Sequence, residues 1–125
     1  MRTETIKVKL RDGEMGAFVA YPDQTPAGAI IAIMEIWGVN DTMRHHAREF
    51  AAAGFVCLVP DLFWRQEPGV ELSDSNPDHV QKAFDLYYEF DYDLGVRDME
   101  DTWHYLRTIP ECNGKVGAVG YCLGG

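Results

Sequence analysis

Val116-Gly117-Ala118-Val119-Gly120-Tyr121-Cys122-Leu123-Gly124-Gly125 joins a short apolar run to the pattern Gly-x-Cys-x-Gly. This is the spacing of a nucleophile elbow, with a thiol where a serine hydroxyl usually stands. A nucleophile held on a sharp strand-to-helix turn occupies a strained backbone conformation, and only small residues two positions to either side let the chain fold so tightly. The turn raises the sulfur above the sheet, at the positive end of the following helix, where thiolate is favoured. A buried structural cysteine in a Gly-rich loop is the bland alternative. The preceding strand and the two flanking glycines favour the elbow.

Working back from that stretch, apolar strands alternate with helical segments. Residues 4–10 alternate as a strand, Asp12-Gly13 reads as a hairpin turn, and 16–21 is the returning strand. After a loop from Pro22 to Gly28, Ala29 to Met34 is almost continuously apolar, as expected of a strand covered on both faces. Asn40-Asp41 caps a helix over 42–53 that Gly54 stops, and 55–59 is a second buried strand. Residues 61–76 are polar and irregular, long for a compact fold and therefore a candidate functional loop. Helices follow over 77–90 and 93–108, the latter with an apolar stripe of Leu94, Met99, Trp103 and Leu106. Asn113-Gly114 turns the chain into the last strand, 115–121. This order predicts an α/β fold: a mostly parallel sheet with an N-terminal hairpin, in three α-β-α layers, with functional groups at the carboxyl ends of the strands. Glu35-Ile36-Trp37-Gly38, Pro60-Asp61 and Cys122 all fall at such ends.

Composition narrows the function. The 125 residues carry a net charge of −9, which disfavours nucleic acid and anionic membrane as partners. No apolar h-region opens the chain and no apolar run approaches a membrane span, so the expectation is a cytoplasmic protein. Three cysteines without Cys-x-x-Cys spacing argue against a disulfide framework and fit a reducing compartment. Cys57 reads as a small core residue and Cys112, in a polar turn, as an exposed bystander. Of the four histidines, His45 and His46 are expected on the rim of the first helix, His79 at the start of the second and His104 on an exposed face of the third. Their spacing suggests no metal site, and no cofactor is expected.

Three stretches carry a family resemblance: Met34-Glu35-Ile36-Trp37-Gly38-Val39-Asn40, Val59-Pro60-Asp61-Leu62-Phe63 with Arg65-Gln66-Glu67-Pro68-Gly69, and Asn113 through Gly125. Together they make the chain resemble the N-terminal half of a dienelactone hydrolase (carboxymethylenebutenolidase), a cysteine member of the α/β-hydrolase fold. The resemblance implies a small-molecule ester or lactone substrate, such as a dienelactone opened to maleylacetate, attacked by a thiolate to give an acyl-enzyme that water hydrolyses. It implies Cys122 as nucleophile, the backbone N–H groups of Leu123 and Ile36 as the oxyanion hole, and Glu35 as a buried glutamate that contacts the thiol. A lone carboxylate between Met34 and Ile36 is costly unless paired or catalytic, and a structural ion pair with an arginine is the alternative role. Trp37, Phe63 and Trp64 are candidate walls of an apolar pocket, although aromatics at strand ends are as often core. His79 is a candidate substrate contact.

Two departures from the family pattern bear on activity. The triad acid and histidine follow the nucleophile in this fold, so residues 1–125 are expected to be a partial domain, truncated on its C-terminal side and inactive alone. Where the family places a carboxylate-binding arginine, this chain has Val80, beside His79 and Lys82. Alternatives on the same residues are a broader carboxylesterase or thioesterase, a non-catalytic fragment that needs a partner chain, and a redox-sensing thiol. The parent protein is expected to be a monomer, and the fragment to self-associate through its uncovered strand edge.

Overall fold

A computed structural model describes residues 1–121. Five strands form one sheet: β1 (Arg2–Leu10), β2 (Gly13–Tyr21), β3 (Ala27–Ile33), β4 (Val56–Pro60) and β5 (Cys112–Gly120). Three helices connect them: α1 (Asp41–Ala52), α2 (Pro77–Glu89) and α3 (Tyr92–Thr108). The spatial order is β1-β2-β4-β3-β5. The hairpin pairs antiparallel, and β2 runs antiparallel to β4 with Ala17 opposite Pro60 and Ala20 opposite Cys57. From there the sheet is parallel: Ala29 pairs with Val56 on one side of β3 and with Val116 on the other. The chain therefore crosses from β3 to β4 through α1, then back past β3 to β5 through α2 and α3. Right-handed crossovers in opposite directions put α1 and α3 on opposite faces, and all three parallel strands end on one edge of the sheet. The α/β class predicted from the alternation is the observed one.

Local chemistry explains the boundaries. Asn40 opens α1 by accepting the Met43 N–H at 3.1 Å, and Asp91 does the same for Leu94 at the start of α3. Asn76 caps α2 ahead of Pro77, whose missing N–H costs nothing at the first helical position. Gly54 closes α1 with φ +100°. The core lies under β2, β3 and β4, and every residue of β4 is buried. Burial pushes the Cys57 thiol up to about 12, in keeping with its expected core role. No helix among the described residues is long and apolar enough to cross a membrane.

Four local expectations are corrected. The hairpin turn is Arg11-Asp12, and Gly13 already belongs to β2, opposite Leu10; a Cβ there would lie 2.6 Å from the Trp64 ring, so this glycine serves packing rather than the turn. The buried face of α3 is Gly95, Asp98, Thr102 and Leu106, one step round from the apolar stripe, and Trp103 is exposed. The reason is an ion pair. Asp98 accepts from Arg65 at 2.7 Å and from the Trp64 indole at 2.9 Å, so a charged residue points inward. Asn113-Gly114 forms an irregularity inside β5, where the register slips between Ala27 and Ala29 and Gly114 takes φ +93°. Cys112 is buried, because that irregular start of β5 already pairs with Ala27.

Candidate active site

The loops that follow β3 and β4 meet at the carboxyl edge of the parallel strands. Residues 34–40 alternate in burial: Met34, Ile36 and Gly38 point inward, while Glu35 and Trp37 are half-buried. Gly38 pairs with Glu71 as an isolated antiparallel bridge, and the Leu72 N–H donates to the Trp37 carbonyl at 2.9 Å. Only glycine fits here. Its φ is +84°, and a Cβ would sit 2.0 Å from the Val70 carbonyl oxygen. Arg44, from the first turns of α1, fastens the same two loops from the side. It donates to the Val39 carbonyl at 3.0 Å, to Asp41 at 2.5 Å and to Glu71 at 2.6 Å. These carboxylates hold the guanidinium's pKa above its ordinary value, and Arg44 in turn lowers that of Asp41.

Between the loops lies a cleft of about 520 Å³ that includes Glu35, Trp37, Asp74 and His79. The His79 Nδ1 accepts the Ser73 N–H at 3.1 Å, which leaves the ring's proton on Nε2. Three residues picked from sequence thus share one cleft: Glu35, Trp37 and His79. Ile36 is buried, and its backbone N–H has no backbone partner among the described residues. β5 reaches the same edge, for Gly120 pairs with Ile33 and the Tyr121 N–H donates to the Ile33 carbonyl at 3.1 Å. Cys122 and Leu123 lie outside the described residues.

Other expectations need correction. Glu35 is half-buried rather than buried, and forms no ion pair among the described residues. Phe63 is no pocket wall: it is fully buried and packs edge-on against Phe90, with centroids 5.8 Å apart, because the turn after Asp61 carries it under α2 and α3. Trp64 lines a different cleft, of about 350 Å³ on the hairpin side, where its hydrogen bond to Asp98 holds it. That second cleft is also lined by Asp61, a buried carboxylate. Asp61 accepts the Gly69 N–H at 2.8 Å through Oδ2, Oδ1 has no partner among the described residues, and burial raises its pKa. Sequence reasoning passed over Arg44, whose three acceptors come from residues 39, 41 and 71. Its spacing to Asp41 was a weak signal, and nothing in sequence pointed to Glu71. His46 does more than face the rim: its ring stacks on Tyr121 at 4.6 Å and 8°. No group of three or more His, Cys, Asp or Glu among the described residues is arranged to hold a metal ion.

A model of the dienelactone hydrolase family matches residues 15–125. The chain belongs to the dienelactone hydrolase family. It is 41% identical over 126 residues to a carboxymethylenebutenolidase of Pseudomonas putida, covering 100% of this chain and 53% of that protein. With carboxymethylenebutenolidase 1 of Cupriavidus pinatubonensis the identity is 36% over 126 residues, covering 100% and 54%. The chain thus spans about half the length of the curated relatives it matches. The structure of a candidate dienelactone hydrolase from Klebsiella pneumoniae superposes with a TM-score of 0.85 at 19% identity, over 98% of this chain and 50% of that one. At that identity the likeness speaks for the fold.

Proposed function

We propose that residues 1–125 carry the nucleophile half of a cysteine-dependent ester or lactone hydrolase, part of a larger α/β-hydrolase domain. The observation that supports this best is the shared edge: Glu35 and Ile36, whose N–H has no backbone partner among the described residues, lie just past the end of β3, and Tyr121, the residue before Cys122, hydrogen-bonds to the last residue of β3. On this reading the Cys122 thiolate forms a carbon–sulfur bond to the substrate carbonyl, and the displaced π pair goes to the carbonyl oxygen. The N–H groups of Ile36 and Leu123 hold that oxyanion, whose charge exists only once sulfur has added. Collapse breaks the ester C–O bond, the leaving oxygen takes a proton, and water then cleaves the thioester. Glu35 assists deprotonation of the thiol, while Trp37 and His79 contact the substrate.

In this family's fold the base and its orienting acid follow the nucleophile. Of the four described histidines, His45 and His104 are exposed, His46 stacks on Tyr121 with its Nδ1 3.9 Å from Glu49, and the His79 Nδ1 is occupied by the Ser73 N–H. The isolated chain is therefore expected to acylate without turning over. The free, buried Cys57 and Cys112 suit a reducing cytoplasm.

The test incubates purified 1–125 with p-nitrophenyl acetate and follows both p-nitrophenol release and intact mass. The expected result is at most one acetyl group per chain, mapped to Cys122 and absent in Cys122→Ser. Sustained hydrolysis that survives in Cys122→Ser overturns the thiol mechanism, and sustained hydrolysis that depends on Cys122 overturns the inactivity of the isolated chain.

A further inference from the structure

We infer that the hairpin-side cleft binds a small organic monocation, an amine or amidine on a flat apolar body, with Asp61 as its counter-charge. The cleft holds about 350 Å³, within the usual range for small-molecule sites, and Ile6, Ala17, Phe18, Trp64 and Val70 give it an apolar lining. Asp61 forms part of its wall and is only 6% exposed. A side chain so buried normally has every polar atom paired, because an unmet carboxylate oxygen gives up its hydration for nothing. Asp61 departs from that rule. Its Oδ2 accepts the Gly69 N–H at 2.8 Å, while Oδ1 has no partner among the described residues. Arg65, four residues on, gives its guanidinium to Asp12 and Asp98 instead.

The other charges in the lining answer one another and leave Asp61 over. Arg44 is held by Glu71 at 2.6 Å. Lys7 and Glu14 are exposed diagonal neighbours on one face of the hairpin, since Lys7 lies opposite Gly16 and Lys9 opposite Glu14. One negative charge remains, in an apolar wall where attraction is screened less than in water. Burial makes Asp61 hold its proton more tightly than usual, with the field of Lys7 working against the rise. A cationic N–H group supplies both things the carboxylate lacks, a donor and an opposite charge, and such charge-assisted bonds are roughly twice as strong as neutral ones. An uncharged amide supplies only the donor, and an anion supplies neither.

The probe is benzamidine, with benzamide and benzoate as its neutral and anionic counterparts of the same shape. Binding to the dilute, isotope-labelled 125-residue chain is followed by two-dimensional NMR near neutral pH. Benzamidine is expected to saturate at about 1–10 mM, as suits so small a molecule, and to move the Gly69 and Val70 amides and the Trp64 indole N–H. Benzamide should bind at least about 10-fold more weakly, and benzoate should leave these signals in place. Asp61→Asn keeps an acceptor for Gly69 and removes the charge, so it should weaken benzamidine about 10-fold and leave benzamide unchanged. Lys7→Gln, at an exposed side chain without a bonded partner among the described residues, should instead tighten benzamidine. The comparison of three probes and the Lys7→Gln variant alter nothing buried, so they decide the question even if Asp61→Asn does not fold. The inference is overturned if benzamidine gives no saturable shift at Gly69 and Val70, or binds no tighter than benzamide. Equal benzamidine affinity in a folded Asp61→Asn chain, or a weaker complex in Lys7→Gln, overturns it as well.

Discussion

Asp61 shows how much one buried carboxylate can say about its surroundings. It follows the all-buried strand β4, accepts the Gly69 N–H from the loop beyond, and leaves Oδ1 unpartnered among the described residues. Burial therefore raises its pKa in the folded chain, with the N–H groups of Gly69 and Phe63 working against the rise. A carboxyl whose folded pKa lies above its unfolded value binds its proton more tightly when folded. Its contribution to stability is fully present below the unfolded value of about 3.9 and is lost as the pH rises through the folded pKa. Asp61→Asn keeps an acceptor for Gly69 and has no such dependence. The expected outcome is that the urea midpoint of the unaltered chain falls relative to Asp61→Asn as the pH is raised from about 4, then levels off once Asp61 is ionised in both states. A difference that stays flat with pH, or grows in favour of the unaltered chain, would show that the folded state does not disfavour the charge. Asp41 moves the other way, because Arg44 lies beside it; carboxylates of the two clefts thus respond to pH with opposite sign.

The loop element 34–40 depends on Gly38. Its left-handed φ and the 2.0 Å approach of the Val70 carbonyl to a would-be Cβ mean that the bridge to Glu71 exists only without a side chain. Gly38→Ala should cost about 1–3 kcal/mol from the backbone conformation alone, more with the overlap, and so lower the melting temperature by several degrees. Hydrogen exchange localises the effect: the Leu72 N–H, bonded to the Trp37 carbonyl, should lose protection before the amides of β4 do. Unchanged protection at Leu72 would mean that the two loops are held by Arg44 alone. This element also shows what a sequence can and cannot disclose. The strands, the helices and the Asn40 cap follow from periodicity and local hydrogen bonding, which operate over a few residues. So does the placing of Glu35 and Trp37 at a strand end. Phe63 and Trp64 sit side by side in sequence, yet one is core and the other lines the hairpin cleft, because Asp98, 34 residues beyond Trp64, captures the indole. The inward turn of Asp98, the burial of Cys112 and the link from Arg44 to Glu71 are likewise set by partners distant in sequence, to which a local pattern is blind.

For the molecule as a whole, the uneven cover of the sheet is the decisive property. β2 and β4 are buried, whereas most of β5 is exposed and, among the described residues, its outer edge pairs with no strand. Beside it, Ile31, Val96, Met99, Trp103 and Val116 line an apolar groove of about 400 Å³ between α3 and β5. Val96 is 58% exposed and Trp103 37%. Parallel strands normally have both faces covered, and an open edge beside exposed apolar side chains is a template for another chain. The 125-residue chain on its own is therefore expected to self-associate, its light-scattering mass rising above the 14.1 kDa of one chain as concentration increases. Charges placed in the groove should oppose this: Val96→Lys with Trp103→Glu would hold the mass nearer that of one chain at the same concentration, with helix content unchanged. Both side chains lie on the open face, so the substitutions remove apolar surface from water contact without emptying the core. A single-chain mass at all concentrations for the unaltered protein would mean that the twist of β5 and its irregular start at Gly114 already protect the edge.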